Sequence, residues 1–548
     1  MAQDCSSNSL KTTAVANARV PCFKFYVDWN DVGFTAFEAS ASAWTDESAY
    51  VQSIRGEHQA TDWQRSVATV GRGVADVVYV TCRNPEESGS YSGLRFSPSN
   101  SNGGLYYKTG SSTVYGIGEG YGMMKRAVVQ MGYYAPVTRQ NEYLRQVTGY
   151  IVNTPESLRG RTVTFEIRDR AADAAFTRAS TVLYPDTTAK AYLEALCALM
   201  DRDAVVSADQ QFDDGMMVIP YAWLDDETLW DEMHLVAESQ MGRLWFDKVG
   251  DLHFEDGSHW VKAGGNAWDD PTVSQATFTT ASFADLSPVY DPGAIFNHVI
   301  AEYQPRYEGT LQVIYSDSEM HTIRPLVTAG SNVKTLKTEF RYPVSSIVDP
   351  VASTDYEATT AGARNITTSV TMDLTAYAAT ADLEITNAHE YFTAYMTKLQ
   401  LRGCPLLTEQ SMKYEAEDTT SIAYFGRRTF PLRQNPYVQS YRHAQMIADF
   451  LLSRFKVPVQ RVSLKGVPAR PWLEVGDRIT VTEELTDIDE DYFTVSIKWA
   501  FDGGSGYVQS IDAIRCSDLF PYTDYFTIGT SVYGSAYYPA GPPGKLFW

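Results

Sequence analysis

The chain has 548 residues, of which 44% are apolar, 20% charged and 13% aromatic, with a formal net charge of −22. That length suits roughly three to four ordinary domains, each burying its own core without staples. The negative balance repels a phosphate backbone and an anionic bilayer surface alike, which argues against a sequence-reading nucleic-acid protein, and with no run of about twenty apolar residues no membrane-spanning helix is expected.

The N-terminal stretch from Met1 to Val20 is polar and lacks the apolar centre of a secretion signal, and residues 1–18 read as a mobile arm. From Pro21 the pattern turns to strands. Phe23, Phe25 and Val27 alternate with Lys24, Tyr26 and Asp28, and short strands follow at Val51–Gly56 and Val74–Cys82. The Gly-, Ser- and Tyr-rich run from Asn84 to Gly122 reads as long loops, with a surface insertion over Gly103–Tyr134. Val147–Val152 and Thr162–Arg168 complete a β-rich first domain over residues 19–182, a barrel or sandwich.

Residues 183–285 differ in kind. Ala189–Met200 has helical spacing, and Leu229, Met233, Val236, Ala237 and Met241 mark a second helix with Asp225, Asp226 and Glu227 at its positive end and Gly242 placed to stop it. A hairpin through Leu244, Phe246, the Val249–Gly250 turn, Leu252 and Phe254 follows. From Asp186 to Asp285 there are 20 acidic and five basic residues, so this domain carries a net −15 of the total. Those carboxylates either coat an exterior for solubility or face an internal surface.

A second β-rich region begins near Ile295, assigned to 286–344 and 437–520, and residues 345–436 read as an inserted β-sandwich of Thr- and Ala-rich strands. Tyr441, Ala444, Ala448, Leu451, Leu452 and Phe455 predict a helix over 441–455 that Pro458 prevents from continuing. Behind it, Val462 and Leu464 open a strand, and Gly476-Asp477 suggests a bulge or sharp bend inside a strand pair. Phe493, Val495, Ile497 and Trp499 keep a strict period of two. The Pro- and aromatic-rich end, 521–548, is a tail suited either to docking on a neighbour or to remaining free. The whole is mainly β with α+β parts, multi-domain.

Chemical motifs are sparse. Gly116–Gly122 lacks both G-x-G-x-x-G spacing and a following Lys-Ser/Thr, so a flexible loop is the reading. Asp487, Asp489 and Asp491 have calcium-loop spacing, but Tyr492 occupies the glycine position and Lys498 that of the bidentate acid. His253, Glu255, Asp256 and His259 could converge on a metal from one hairpin, yet no P-C-x-x-C accompanies them and they read as exposed polar residues. Asp231 and His234 share a helix face without the second His of a zinc-protease helix, and no G-x-S-x-G is present. Cys5, Cys22, Cys82, Cys197, Cys404 and Cys516 are scattered, as isolated thiols of a reducing compartment are. No enzyme activity, cofactor or metal is expected.

The order of segments carries more. Val27-Asp28-Trp29, Arg95-Phe96-Ser97-Pro98-Ser99-Asn100, Val147-Thr148-Gly149-Tyr150-Ile151 followed by Val163–Asp169, Ile219-Pro220-Tyr221-Ala222-Trp223-Leu224, Leu399-Gln400-Leu401-Arg402-Gly403, Ser421-Ile422 with Tyr424-Phe425-Gly426, and Leu473-Glu474-Val475-Gly476-Asp477 occur in that sequence and spacing. Together, over residues 19–535, they resemble the hub-type tail proteins of long-tailed bacteriophages, related in fold to the contractile-phage baseplate hub. The resemblance implies two tube-like β-barrel domains per chain and a homotrimeric ring. That ring would join the hexameric tail tube, or a distal tail protein ring, to a three-fold tip, fibre or receptor-binding protein, with a channel for DNA. It implies a virion location at the tail tip and assembly in the host cytoplasm. Two other classes compete: a receptor- or carbohydrate-binding tail protein that stacks Tyr and Trp on host sugars, and a wall-degrading enzyme.

Overall fold

A computed structural model of the chain describes residues 8–519 apart from 17, 60–74, 88–92, 98–123, 158, 201–204, 207–208, 260–272, 291, 328–331, 431, 433 and 505. The glycine-rich run Gly116–Gly122 and the tail 521–548 therefore lie outside the described residues. Within the expected arm, Asn8–Val15 forms helix α1, because Leu10 and Ala14 fall four residues apart and both are buried against the neighbouring sheet.

The first β unit consists of β1 (Pro21–Val27), β2 (Val51–Gln59), β3 (Val77–Arg83), β4 (Arg126–Ala135), β5 (Gln140–Asn153) and β6 (Thr162–Asp169). Strand β4 takes up the end of the stretch expected as a surface insertion, from Arg126 to Tyr134. Val129, Met131 and Tyr133 on one face join the main core while Val128 packs on the other, so the strand is buried on both sides and the glycine and tyrosines mislead. Gly132 is required by space: a Cβ there would lie 1.8 Å from the Glu142 carbonyl oxygen of β5.

The acidic region follows with helix α2 (Ala189–Cys197), capped by the Thr188 hydroxyl, helix α3 (Leu229–Ser239), and the hairpin of β7 (Arg243–Phe246) and β8 (Leu252–Glu255). Leu244 faces Phe254 and Phe246 faces Leu252 across the hairpin, in the register the alternation predicts. The left-handed residue that ends α3 is Met241 (φ 53°). Gly242 stands next to it because a Cβ would meet the Glu255 carbonyl oxygen at 2.3 Å.

The second β unit comprises β9 (Ala276–Thr279), β10 (Asp285–Tyr290), β13 (Gln460–Pro468), β14 (Arg478–Glu483), β15 (Ile488–Asp502) and β16 (Gly506–Arg515). Between its two parts, β11 (His298–Tyr303) pairs antiparallel with β12 (Met412–Glu417), and Arg306 pairs with Thr408 at the neck. Residues 306–408 are thus an excursion from one antiparallel stem. They form two sheets, one of six strands built around Ala394–Thr408 and one of three, packed about Tyr356, Leu383, Ile385, Met396, Leu399 and Leu401. Helix α4 (Tyr441–Phe455) starts at Ser440, whose hydroxyl accepts from the His443 N–H, and packs on β11 and β12, burying Ala444, Ile447, Ala448, Leu451 and Phe455 in a cluster that also takes in Phe493, Val495 and Ile514.

The two β units share one strand order. Across the sheet the first runs β2-β3-β6-β5-β4-β1 and the second β10-β13-β16-β15-β14-β9. Ranked by position in the chain, both read 2-3-6-5-4-1. The first five strands of each are antiparallel to their neighbours in both units; the sixth differs, β1 running antiparallel to β4 and β9 parallel to β14. The repeat is invisible in the residues and plain in the topology.

The units are also one sheet. Strand β15 pairs with β14 over Ile488–Phe493 and with β2 over Ser496–Asp502, while β16 occupies its other edge. The register slips between Thr494 and Ser496, so Val495 is a bulge at the point where the strand passes from one partner to the other. The result among the described residues is a 14-stranded open sheet with no closed barrel, since the edge that closure would use is used to join the units. One hydrophobic cluster serves both, running from Phe25, Val80 and Phe165 to Leu464, Trp472 and Ile511.

Candidate functional site: a buried polar junction

The joint between β2 and β15 is built around Trp499. Its indole lies over Gly56, the residue paired with it across the strands, where a Cβ would sit 2.4 Å from the ring. Two residues on, His58 Nε2 accepts from Trp499 Nε1 at 3.0 Å, and His58 Nδ1 lies 2.5 Å from Asp76 Oδ2. Since Nε2 accepts, the ring proton sits on Nδ1 and is donated to Asp76. The Asp76 N–H donates to Asp169 Oδ2 at 2.8 Å, and Asp169 Oδ1 accepts from the Ala171 N–H. Burial, reinforced by the Lys248 charge, holds His58 well below its ordinary pKa, so the imidazole is neutral. Burial likewise pushes the Asp76 and Asp169 carboxyls well up.

A carboxylate–histidine pair is two-thirds of a nucleophilic triad. Here the third member is an indole N–H, which supplies a proton to the imidazole and has no lone pair to be activated by it. The pair therefore orients Trp499 and fixes the joint.

The β7–β8 hairpin clamps the other side. Arg243, 2% exposed, donates from Nε and Nη2 to the two Glu255 oxygens at 2.6 and 3.0 Å, and from Nη2 to the Val475 carbonyl at 3.0 Å, while its guanidinium stacks over Trp245. Burial alone would raise the Glu255 carboxyl; the Arg243 and His259 charges override it and hold the group well below the carboxylate range. Lys248, 1% exposed, donates to the carbonyls of Pro471 and Leu473 at 3.1 and 2.5 Å. The clamped segment turns tightly before β14: Asp477 Oδ2 accepts from the Glu474 N–H, and Gly476 has φ 97° with Arg243 Nη2 only 2.2 Å from where a Cβ would be. Gly476-Asp477 thus makes a turn ahead of the strand rather than a bulge within it. Glu474 is buried with Oε1 lacking a partner among the described residues, and burial, against the pull of Lys248, pushes its carboxyl up to about 8.

The four hairpin residues read from the sequence as exposed are all buried, because both faces of β7 and β8 are covered. All four have partners: His253 Nε2 lies 3.2 Å from Asp247, Glu255 holds Arg243, Asp256 Oδ1 accepts from the Ser258 N–H and hydroxyl, and Asp213 Oδ2 takes both the Asp256 N–H and His259 Nδ1. Asp489 accepts from Thr482 and Asp491 from Arg478 across the β14–β15 hairpin, which fixes them as ladder side chains. Asp231 accepts from Thr228, and His234 Nδ1 meets the Trp230 carbonyl. Among the described residues no group of three or more His, Cys, Asp or Glu side chains is arranged to hold a metal, and the described cysteines are free thiols. Reasoning from sequence missed His58, Asp76, Asp169, Lys248 and Glu474. The available signal was phase: His58 follows Ile54 and Gly56 on the inward side of β2.

Fold and site together define a class, a multi-domain, mainly β scaffold whose buried polar residues are spent on holding domains together. No protein-family model matches the sequence, and no curated protein matches it. Among solved structures the chain is similar to the tail protein from Neisseria meningitidis MC58, at 10% identity and a TM-score of 0.44 over 91% of this chain and 98% of that one. It is similar to the 43 kDa tail protein of prophage MuSo2 from Shewanella oneidensis, at 11% identity and a TM-score of 0.43 over 90% and 98%. A third similar structure is an E. coli component of the type VI secretion system with structural similarity to T4 bacteriophage tail proteins, at 9% identity and a TM-score of 0.35 over 86% and 74%.

Proposed function

We propose that this chain is the structural hub of a bacteriophage tail tip, three copies closing into a ring between the tail tube and the three-fold tip and leaving a channel for DNA. The observation that carries the reading is the repeated 2-3-6-5-4-1 strand order. Two units of one topology, fused edge to edge in each chain, give six similar β surfaces in a trimer, the number a hexameric tube or distal tail ring requires, while the 306–408 excursion occurs once per chain and supplies three-fold symmetry. The buried joint suits that role. It fixes the angle between the units with buried side chains that offer no nucleophile.

The partners are then two further copies of this chain, the tube or distal ring on the six-fold side, and the central tip, fibre or receptor-binding proteins on the three-fold side. Assembly in the host cytoplasm agrees with the free thiols. Labelling the protein in intact virions and imaging by electron microscopy tests the proposal. Label at the junction of tube and tip is the expected result; label on the capsid, along the tube or on distal fibres alone overturns it.

A further inference from the structure

Strand β10 ends the sheet at the side remote from the joint. Among the described residues it pairs only with β13, Asp285 through Tyr290 lying opposite Lys465 through Gln460, and its other edge carries no strand. In the repeat, β10 holds the second rank, the place that β2 holds in the first unit. Strand β2 is the one that reaches across to the other unit, pairing seven residues with β15. The edge that makes the joint in one unit is therefore open in the other.

We infer that β10 is the edge through which one copy takes up the next, its occupant being the first β unit of a second copy of this chain; the inference rests on the ring reading. Three observations support the assignment. Val289 and Tyr290 are 51% and 53% exposed, on a strand whose Asp285 and Pro288 are exposed as well. A groove of about 240 Å³ runs over the sheet face from β10 across β13 and β16 to β15, lined by Ser287, Val289, Arg461, Val462, Val495 and Ile514, enough for one or two side chains that fold over the edge from a neighbour. The third is correspondence: the strand equivalent to β15 is β5, whose pairing with β4 ends at Tyr150, after which Ile151 meets the Lys125 and Met124 backbone. Val152 and Asn153 lie beyond that pairing, on the side that β2 would approach by analogy.

The contact between copies differs from the one within the chain. Seven residues of β15 are free for β2, but on β5 only Val152 and Asn153 extend past the β4 pairing, and Pro288 removes one donor from β10. The ladder between copies is short, and Val289 and Tyr290 carry the remainder through their side chains. The ring accordingly parts between copies at a lower denaturant concentration than the two units of one chain part from each other.

The test uses the full chain at micromolar concentration, by sedimentation velocity and native mass spectrometry. The unsubstituted chain is expected at three times the 61.1 kDa monomer mass. Val289→Lys combined with Tyr290→Asp is expected at the monomer mass with an unchanged circular dichroism spectrum, and Leu485→Lys, at an exposed hairpin elsewhere, at the trimer mass. A trimer that persists in the double variant overturns the edge assignment and leaves the ring standing. A monomeric unsubstituted chain overturns the ring, and the edge with it. Should the double variant misfold, a photo-crosslinking residue at position 289 of the otherwise native chain decides: cross-links between copies to peptides containing Asn153 support the assignment, and cross-links confined to any other region overturn it.

Discussion

Replacing Arg243 by Met removes three hydrogen bonds and leaves the Glu255 carboxylate buried without its main counter-charge. Breaking a buried pair by deleting one partner costs about 3–5 kcal/mol, while replacing both partners with apolar groups of similar volume is close to neutral. Arg243→Met should therefore lose about 3–5 kcal/mol, and Arg243→Met with Glu255→Leu should recover most of that loss. The pH dependence gives an independent sign. In the native protein the Glu255 carboxyl is held below its unfolded value, so its contribution is present at neutral pH and lost only as pH falls through the folded value. Without Arg243, burial prevails and raises that carboxyl, so the single variant loses stability as pH rises above roughly 4.3, the unfolded value. Urea unfolding at pH 5 and pH 8, followed by tryptophan fluorescence, measures both effects. A single variant that loses less than about 1 kcal/mol, or a double variant whose loss equals the sum of the two single losses, would refute the account of this clamp.

Gly56→Val places branched carbons where the Trp499 ring lies and should cost about 1–3 kcal/mol, seen as a lowered unfolding temperature and a red-shifted tryptophan emission; an unchanged melt would mean the joint is looser than described. Glu474, raised to about 8 by burial, takes up a proton on folding, so its contribution is full below about 4.3 and declines as pH rises through 8, by up to about 1.4 kcal/mol per pH unit. Glu474→Gln should flatten stability across that window, and an identical pH profile in the two proteins would contradict the assignment. Replacing residues 306–408 by a short Gly-Ser turn should leave both β units folded, because Tyr303 and Met412 are already cross-strand neighbours and the excursion has its own core. Loss of slow-exchanging amides in β2 or β15 would show that the excursion is needed for the units.

Helix α4 was legible to the residue because Tyr441, Ala444, Ala448, Leu451 and Phe455 recur at helical spacing and Pro458 bars continuation. The β7–β8 hairpin was legible from its alternation and its turn. What the sequence withheld was everything set by contacts distant along the chain. Nothing local to Arg243 or His253 tells that both faces of their hairpin are covered, so side chains that look solvated are buried with individual partners. The surface insertion failed at β4 for the converse reason: a strand buried on both faces loses the alternation by which strands are recognised, and Gly132 and Tyr134 then look like loop residues. The acidic domain shows the same effect in charge. Asp213, Glu232, Glu255 and Asp256 are buried, so part of its negative balance lies inside the domain and faces neither a bore nor the solvent. The strand-order repeat left no trace in residue identity because it is a property of pairing alone.

The central claim is that one chain carries two equivalent β units locked at a fixed angle. Electron cryomicroscopy of the isolated assembly tests it directly. The account predicts that a section through the β units shows six similar lobes from three chains around an open axis, relaxing to three-fold symmetry at the level of the 306–408 excursion. Three lobes in that section, or two units found at variable angles from particle to particle, would contradict it.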